Sequence, residues 1–350
     1  MAEPADRRIP DLFGIELPII QAPMAGATTP AMVVAASEAG GLGSLPGAQY
    51  APDSFRAAVA EVRAGTRRPF NLNFFAHDTP PEDPGRQAAW RARLEPYYAE
   101  AGLGPDTPPS GAGRAPFDEA FCAVLEESPP AVASFHFGLP APALLARVRA
   151  AGCKVVGCAT TVAEAVWLER QGVDAIIAQG FEAGGHRGNF LTHDMATQVG
   201  TMALVPQVVD AVRVPVIAAG GIADARGVRA ALALGASAVQ VGTAYLLTPE
   251  ARIPALHRAA LERATDDGTA LTNLFTGRPA RGILNRLMRE AGPLSDIAPP
   301  FPTAGAALAP IRARAEAEER DDFTNLWAGQ AAALARPMTA GELTRRLAGV

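Results

Sequence analysis

The sequence predicts an α/β chain: a (β/α)8 TIM barrel with an insertion after strand three and a helical C-terminal extension. Three observations carry this. Short apolar runs without strict alternation recur along residues 17–250, the pattern of strands covered on both faces in a parallel sheet. A helical stretch follows most of them, giving eight βα units in about 250 residues, the ordinary size of such a barrel. The last two strands end in the glycine turns Ala218-Ala-Gly-Gly-Ile-Ala223 and Gln240-Val-Gly-Thr243, where barrels of this kind bind phosphate. A doubly wound open sheet fits the alternation too, but the pair of phosphate turns favours the barrel.

Taken in order, Leu17 to Met24 is the first strand, and Thr29-Pro30 opens a helix with a side-chain cap and proline at its first position. That helix stops at Gly40-Gly41; Leu42 to Leu45 is strand two, and Ala51 to Ala64 the second helix. Pro69 to Phe75 is strand three. The rhythm breaks from Asp78 to Pro116, where two Pro/Gly-rich patches flank a helical piece with Trp90 and Tyr97-Tyr98. Such an insertion reads as a lid or binding loop, its aromatics offering apolar cover for a site. Ala131 to Phe137 is strand four, followed by helix 141–151, strand 154–158, helix 161–171 and strand 173–178. After a loop over 192–201 come helix 204–212, strand 214–219, helix 224–234 with Asp224 as its cap, and strand 238–242. The division is a barrel over residues 1–250, with the insertion at 78–116, and a helical extension over 251–350 packed on it. Helices are expected at 252–263, 306–320 and 321–347, around a Gly/Pro segment at 277–302.

Composition narrows the function. With 350 residues, 49% of them hydrophobic, the chain can bury a large core. A net charge of −5 provides no drive toward nucleic acid. Cys122, Cys153 and Cys158 lack metal-ligand spacing, and their odd number argues against a disulfide framework, so no metal site is expected. The leading MAEPADRRIPDLFG lacks a signal peptide's apolar core, and no apolar run is long enough to span a bilayer. The expectation is a cytoplasmic enzyme acting on small molecules, without nucleic-acid or membrane partners and with a homodimer open.

The chemistry centres on Ala178-Gln-Gly-Phe-Glu-Ala-Gly-Gly-His186-Arg-Gly188, at the end of strand six. Paired glycines let a backbone approach a flat ligand, and histidine moves protons near neutral pH. Ala22, Pro23 and Met24 end strand one, Asn73 ends strand three and Gln179 ends strand six, all at the face where barrels carry their sites. Amides and backbone there could read the edge of a planar heterocycle, with Met24 against its face. Gly220, Gly221, Gln240, Val241, Gly242 and Thr243 would cradle a phosphate. The combination suits FMN. His136, at the end of strand four, is a substrate or cofactor contact or else a packed histidine. His77 reads as structural or surface, His193 and Asp194 as loop residues, and His257 as solvated on a late helix. Lys154, the only lysine, starts strand five at the opposite face, which disfavours a Schiff-base aldolase. Cys158 has no neighbouring base in sequence and reads as a buried thiol.

These segments together resemble the nitronate monooxygenases, formerly 2-nitropropane dioxygenases, of the class I type. The resemblance rests on Gln21-Ala-Pro-Met-Ala-Gly26 with Thr29-Pro30, Gly40-Gly-Leu-Gly43, Asn71-Leu-Asn-Phe-Phe75, Glu182-Ala-Gly-Gly-His186, Ala219-Gly-Gly221 and Gln240-Val-Gly-Thr243. In the tail, Phe275 to Arg281 and Leu326 to Gln330 resemble the class as well. It implies FMN without a metal, and oxidation of alkyl nitronates such as propionate 3-nitronate by O2 to a carbonyl compound and nitrite. It also implies that Asn73, Gln179, Gly184, Gly221 and Gln240 to Thr243 hold FMN and that His186 is catalytic, with Gly185, the second of the paired glycines, a further candidate for the cofactor. Gly47-Ala-Gln49-Tyr50 departs from the family, which often has a second glycine before the tyrosine. The rival is a flavin-dependent NAD(P)H reductase acting on an enoyl-acyl carrier protein or a quinone. It shares the Glu-Ala-Gly-Gly-His signature, but Cys158 stands where some quinone-reducing relatives carry lysine.

Overall fold

The computed structural model describes residues 6–110 and 114–350, so residues 1–5 of the leader and 111–113 of the second Pro/Gly patch lie outside it. In chain order the strands are β1 (Ile19–Gln21), β2 (Gly43–Pro46), β3 (Phe70–Phe75), β4 (Val132–His136), β5 (Lys154–Ala159) and β6 (Ala175–Gln179). They continue with β7 (Gly185–His186), β8 (Val216–Ala219), β9 (Ala238–Val241), β10 (Thr269–Thr272) and β11 (Ala280–Ile283). Eight of them run parallel in the order β1-β9-β8-β6-β5-β4-β3-β2. A parallel bridge from Ile20 to Leu42 links the two ends. The result is the TIM barrel of the sequence reading.

Local chemistry explains the element boundaries. Thr29 Oγ1 accepts the Met32 N–H at 3.2 Å, and Pro30 begins the helix Pro30–Glu38. Asp224 accepts the N–H groups of Arg226 at 2.8 Å and Gly227 at 3.3 Å at the start of Ala225–Ala233. Strands β1, β2, β3, β6 and β8 are buried throughout, because helices cover one face and the barrel interior fills the other. The third unit's helix, Glu119–Glu127, is capped by Asp118, whose carboxylate accepts the Phe121 N–H at 3.0 Å. The sequence reading assigns no element between the insertion, which ends at Pro116, and strand four, although the capping residue and the apolar Phe121, Cys122, Val124 and Leu125 mark this helix.

Two expectations about the periphery change. The insertion's helix Pro84–Glu100 buries Trp90, Tyr97 and Tyr98 in a satellite core shared with the tail helix Gly305–Ala317. Trp90 Nε1 donates to the Ala304 carbonyl at 3.1 Å and the Tyr98 hydroxyl to the Ala307 carbonyl at 2.6 Å. These aromatics therefore fasten the insertion to the tail and are not the cover of a site. The tail is also not wholly helical. Strands β10 and β11 form an antiparallel ribbon, and β11 pairs with β7, placing Ala280 opposite His186 and Arg281 opposite Gly185. Within 321–347 the regular helix begins only at Ala340 and runs to Ala348, opened by a Thr339–Glu342 capping box. Four-residue strands separated by glycine and proline leave no period long enough to read.

His257 corrects a third expectation: it is buried on the helix Ala255–Glu262, with Nε2 3.1 Å from the Trp327 carbonyl. Among the described residues no helix is long and apolar enough to cross a membrane.

Candidate active site

A cavity of about 510 Å³ opens at the C-terminal ends of the barrel strands. Parallel strands bring their last residues to one end, so side chains distant in sequence converge there. Ala22, Pro23 and Met24 line it from β1, Asn73 from β3, His136 from β4, and Gln179 from β6. Gly184, Gly185 and His186 line it from β7 and the turn before it, and Gly220, Gly221, Gln240, Gly242 and Thr243 complete the wall. Val241 alone of the expected residues is absent from the wall, because its side chain packs into the barrel core.

The polar groups divide into those committed to the chain and those facing the cavity. Gln179 is committed: its Nε2 donates to the His186 carbonyl at 3.0 Å and its Oε1 accepts the Gly188 N–H at 2.8 Å. It therefore pins the histidine segment. Asn73 Nδ2 donates to Ser134 Oγ at 2.9 Å, and Thr243 Oγ1 accepts the Gly329 N–H at 2.9 Å, holding the tail over the barrel mouth. Among the described residues no protein group bonds the side-chain amide of Gln240. The backbone N–H groups of Gly220, Gly221, Gly242 and Thr243 likewise donate to no backbone carbonyl there. Gly220 and Gly221 have φ of 107° and 71°, a conformation that suits glycine.

The turns are braced from behind. Glu182 accepts the Thr201 N–H at 2.8 Å and its hydroxyl at 2.8 Å, at the start of the helix Thr201–Ala211. Thr201 Oγ1 also lies 2.9 Å from the Gly220 carbonyl, tying the β6 and β8 turns together. Arg187 is fully buried, donating to the carbonyls of Gln179, at 2.9 Å, and Gly180. A Cβ on Gly184 would collide with the backbone of Ala328 and Gly329, so this glycine permits the tail to close.

His186 stands in an aromatic and cationic corner. Its ring lies 5.3 Å from Phe301, 5.6 Å from Trp327, 6.0 Å from Phe137 and 6.2 Å from Phe75, centroid to centroid. Its Nε2 is 2.9 Å from Thr276 Oγ1. Burial, then Arg114, His136, Arg278 and His77, hold its pKa well below the usual histidine value, so the ring is neutral at pH 7. His136, with Nε2 3.2 Å from the His186 carbonyl, is pushed down to about 3, chiefly by burial. His77 is pushed down to about 4 by burial and Arg278, and its Nδ1 is buried without a partner. Phe137 has φ of 73°, rare for an aromatic residue, and is held by its stack with Phe75 and by the Arg278 guanidinium 3.9 Å above its ring.

Arg114 and Arg312 line the cavity beside Glu316, Thr324 and Asn325. Arg114 comes from the insertion, so that segment does reach the site, through a guanidinium instead of its aromatics. Sequence reasoning missed Arg114, Thr276, Arg278, Phe301 and Trp327. Thr276 and Arg278 fall in the tail segment Phe275 to Arg281 and Trp327 in Leu326 to Gln330, whose roles no local pattern discloses, and Arg114 and Phe301 carry no sequence signal. The remaining expectations are placed simply. Lys154 lies at the start of β5 with Nζ 3.9 Å from Asp174. Cys158 is buried, its thiol pushed up to about 12 by burial. His193 and Asp194 lie in the loop, where Asp194 accepts the Ala196 N–H at 2.8 Å. Among the described residues no cluster of three or more histidine, cysteine or acidic groups could hold a metal ion.

The family model for nitronate monooxygenase matches residues 6–349. The chain is 44% identical to the nitronate monooxygenase of Pseudomonas aeruginosa, over 97% of both chains. It is 42% identical to that of Paraburkholderia phytofirmans, over 97% of this chain and 94% of the relative. Among solved structures it is similar to a nitroalkane oxidase from Streptomyces ansochromogenes, with TM-score 0.88, 39% identity, and coverage of 98% and 97%. It is less similar to FabK from Thermotoga maritima, with TM-score 0.73, 29% identity, and coverage of 97% and 94%.

Proposed function

The chain belongs to the nitronate monooxygenase family, a flavin-dependent family, and from that premise we propose that its cavity holds FMN. We propose further that it oxidises alkyl nitronates, propionate 3-nitronate among them, with O2 to a carbonyl compound and nitrite. The observation that carries the FMN reading is the set of amides at Gly220, Gly221, Gly242 and Thr243 that donate to no backbone carbonyl among the described residues, beside the Gln240 side chain at the cavity wall. A dianionic phosphate satisfies such amides at a barrel mouth. Gln240 would hydrogen-bond the heterocycle, Met24 would lie against it, and Gly185 would leave room for it. Bound there, FMN supplies the electron acceptor that links nitronate oxidation to O2 reduction.

The chain's own residues do the rest. Arg114 and Arg312 line the cavity, Arg278 stands behind it over the Phe137 ring, and none of the three makes an ion pair among the described residues, so positive charge prevails there despite Glu316. That field favours an anionic nitronate over its neutral nitroalkane. Neutral His186 would take the α-proton from a nitroalkane, or orient a nitronate that has already lost it. Gln179, Arg187 and Glu182 hold the histidine segment and the phosphate turns in place. Residues 251–350 serve as part of the site and not as a separate catalytic domain, a reading supported by Trp327 and Gly329 at its wall and by Thr276 behind His186.

A reductase reading rests on the likeness to FabK. The deciding experiment identifies the released flavin by mass, then compares anaerobic NAD(P)H with aerobic propionate 3-nitronate. FMN, slow bleaching by NAD(P)H and rapid O2 uptake with nitronate are expected. Another prosthetic group, or rapid bleaching by NAD(P)H with no nitronate turnover, rejects the proposal.

A further inference from the structure

We propose that Thr276 is a positioning residue that fixes which ring nitrogen of His186 carries the proton, leaving Nδ1 as the basic atom toward the cavity. The inference rests on the proposed role of His186. Thr276 lies outside the barrel's sequence motifs, on the turn between β10 and β11. It reaches His186 because β11 pairs with β7, Ala280 lying opposite His186.

Three contacts define the hydroxyl. Thr276 Oγ1 is 2.9 Å from His186 Nε2, 3.3 Å from the Arg278 carbonyl oxygen and 3.5 Å from the Arg278 N–H. A hydroxyl has one proton to donate and lone pairs to accept with, whereas a carbonyl oxygen only accepts. Donating to the Arg278 carbonyl leaves Oγ1 an acceptor for a proton on His186 Nε2. Donating to the imidazole instead would leave Arg278 without that hydroxyl proton, in a turn where Thr276 itself is buried. The first arrangement pairs the Thr276 hydroxyl, the Arg278 carbonyl and His186 Nε2 at once.

A neutral imidazole has one N–H, so placing it at Nε2 makes Nδ1 the lone-pair nitrogen. His186 lines the cavity and Thr276 does not, so Nε2 faces away from the cavity. Among the described residues Nδ1 has no protein partner, and it is not sealed from the cavity. Burial, and then the cationic neighbours Arg114 and Arg278, keep the ring from taking a second proton, so the tautomer decides its chemistry.

The test uses the flavin-loaded enzyme, ¹⁵N-labelled at histidine, with His186 assigned by its loss in His186→Asn. Wild type and Thr276→Ser should show an Nε2–H imidazole at pH 7.5. Thr276→Val should lose that preference while retaining flavin, and turnover of neutral nitroalkane should fall by about 10–100-fold. Turnover of the matching nitronate should fall by less than about 3-fold, since no proton need be abstracted. An Nε2–H imidazole persisting in Thr276→Val, or equal fractional loss on both substrates, overturns the proposal. If Thr276→Val fails to bind flavin, Thr276→Ala carries the same reading. Should the wild type turn over neither substrate, the functional reading falls, while the ¹⁵N spectra still decide the tautomer.

Discussion

At the scale of single residues, His186 and Gly221 carry the sharpest consequences. His186 is a neutral imidazole in a cavity that favours anions, which suits a base toward nitroalkanes and an orienting group toward nitronates. His186→Asn should lower steady-state O2 uptake with a neutral nitroalkane by about 10²–10⁴-fold. The loss with its nitronate should be much smaller; equal losses would leave His186 a binding residue only. Gly221 has φ of 71°, a conformation that side chains rarely adopt, and a Cβ there would sit tightly, 3.3 Å from the Glu182 Cβ. Gly221→Asp adds a carboxylate where the phosphate is proposed to sit. The purified variant should carry little flavin by absorbance, and full occupancy would move the phosphate elsewhere.

At the scale of elements, the insertion and the tail act together. Trp90 is fully buried between the helices Pro84–Glu100 and Gly305–Ala317, with its indole N–H bonded to the Ala304 carbonyl. Trp90→Ala should cost about 3–5 kcal/mol, the range for deleting a large buried aromatic side chain. Hydrogen exchange should rise in both helices and stay unchanged in β5 and β6, whose packing lies in the main core. A rise confined to the insertion would show that the two helices do not depend on each other. The ribbon β10–β11 serves the site instead, turning the tail toward the barrel so that Thr276 meets His186.

At the scale of the whole molecule, neutral buried histidines tie stability to pH. His77 is pushed down to about 4, His136 to about 3 and His257 to about 4, burial being the largest cause in each. Facing them, Arg278 lowers His77 and His136, Arg187 also lowers His136, and Arg258 lowers His257, while Asp78 opposes at His77. A folded-state pKa below the unfolded value of about 6.5 means that the unfolded chain binds more protons between the two. Stability is therefore complete above pH 6.5 and is lost as pH falls toward 4. Each group contributes at most about 1.4 kcal/mol per pH unit in that window. Denaturant midpoints should drop measurably from pH 7 to pH 5, and His257→Gln should reduce the slope. A flat profile would mean that these rings are not kept neutral. Asp6, pulled down to about 2 with Arg8 and Ser237 as partners, loses its contribution only below about 4 and stays outside this window.

Much of this was legible in the residues themselves. Strand periodicity, Thr29-Pro30, Asp224 and the paired glycine turns are local signals, governed by backbone sterics and hydrogen bonds within a few residues. They were enough to order eight strands, and barrel closure then brings the ends of those strands together without further information. The satellite core of Trp90 and Tyr98, the burial of His257 and the approach of Arg114 and Thr276 have no such local sign. Each depends on contacts between segments about 70 to over 200 residues apart, as in the bonds from His257 to Trp327 and from Trp90 to Ala304. The sequence by itself determined the barrel and the family of residues at its mouth. Only the tertiary structure decided which side chains face the cavity and which are spent on the chain. Gln179 and Thr243 show why: a side-chain amide or hydroxyl has a few hydrogen bonds to make, and packing alone selects its partners.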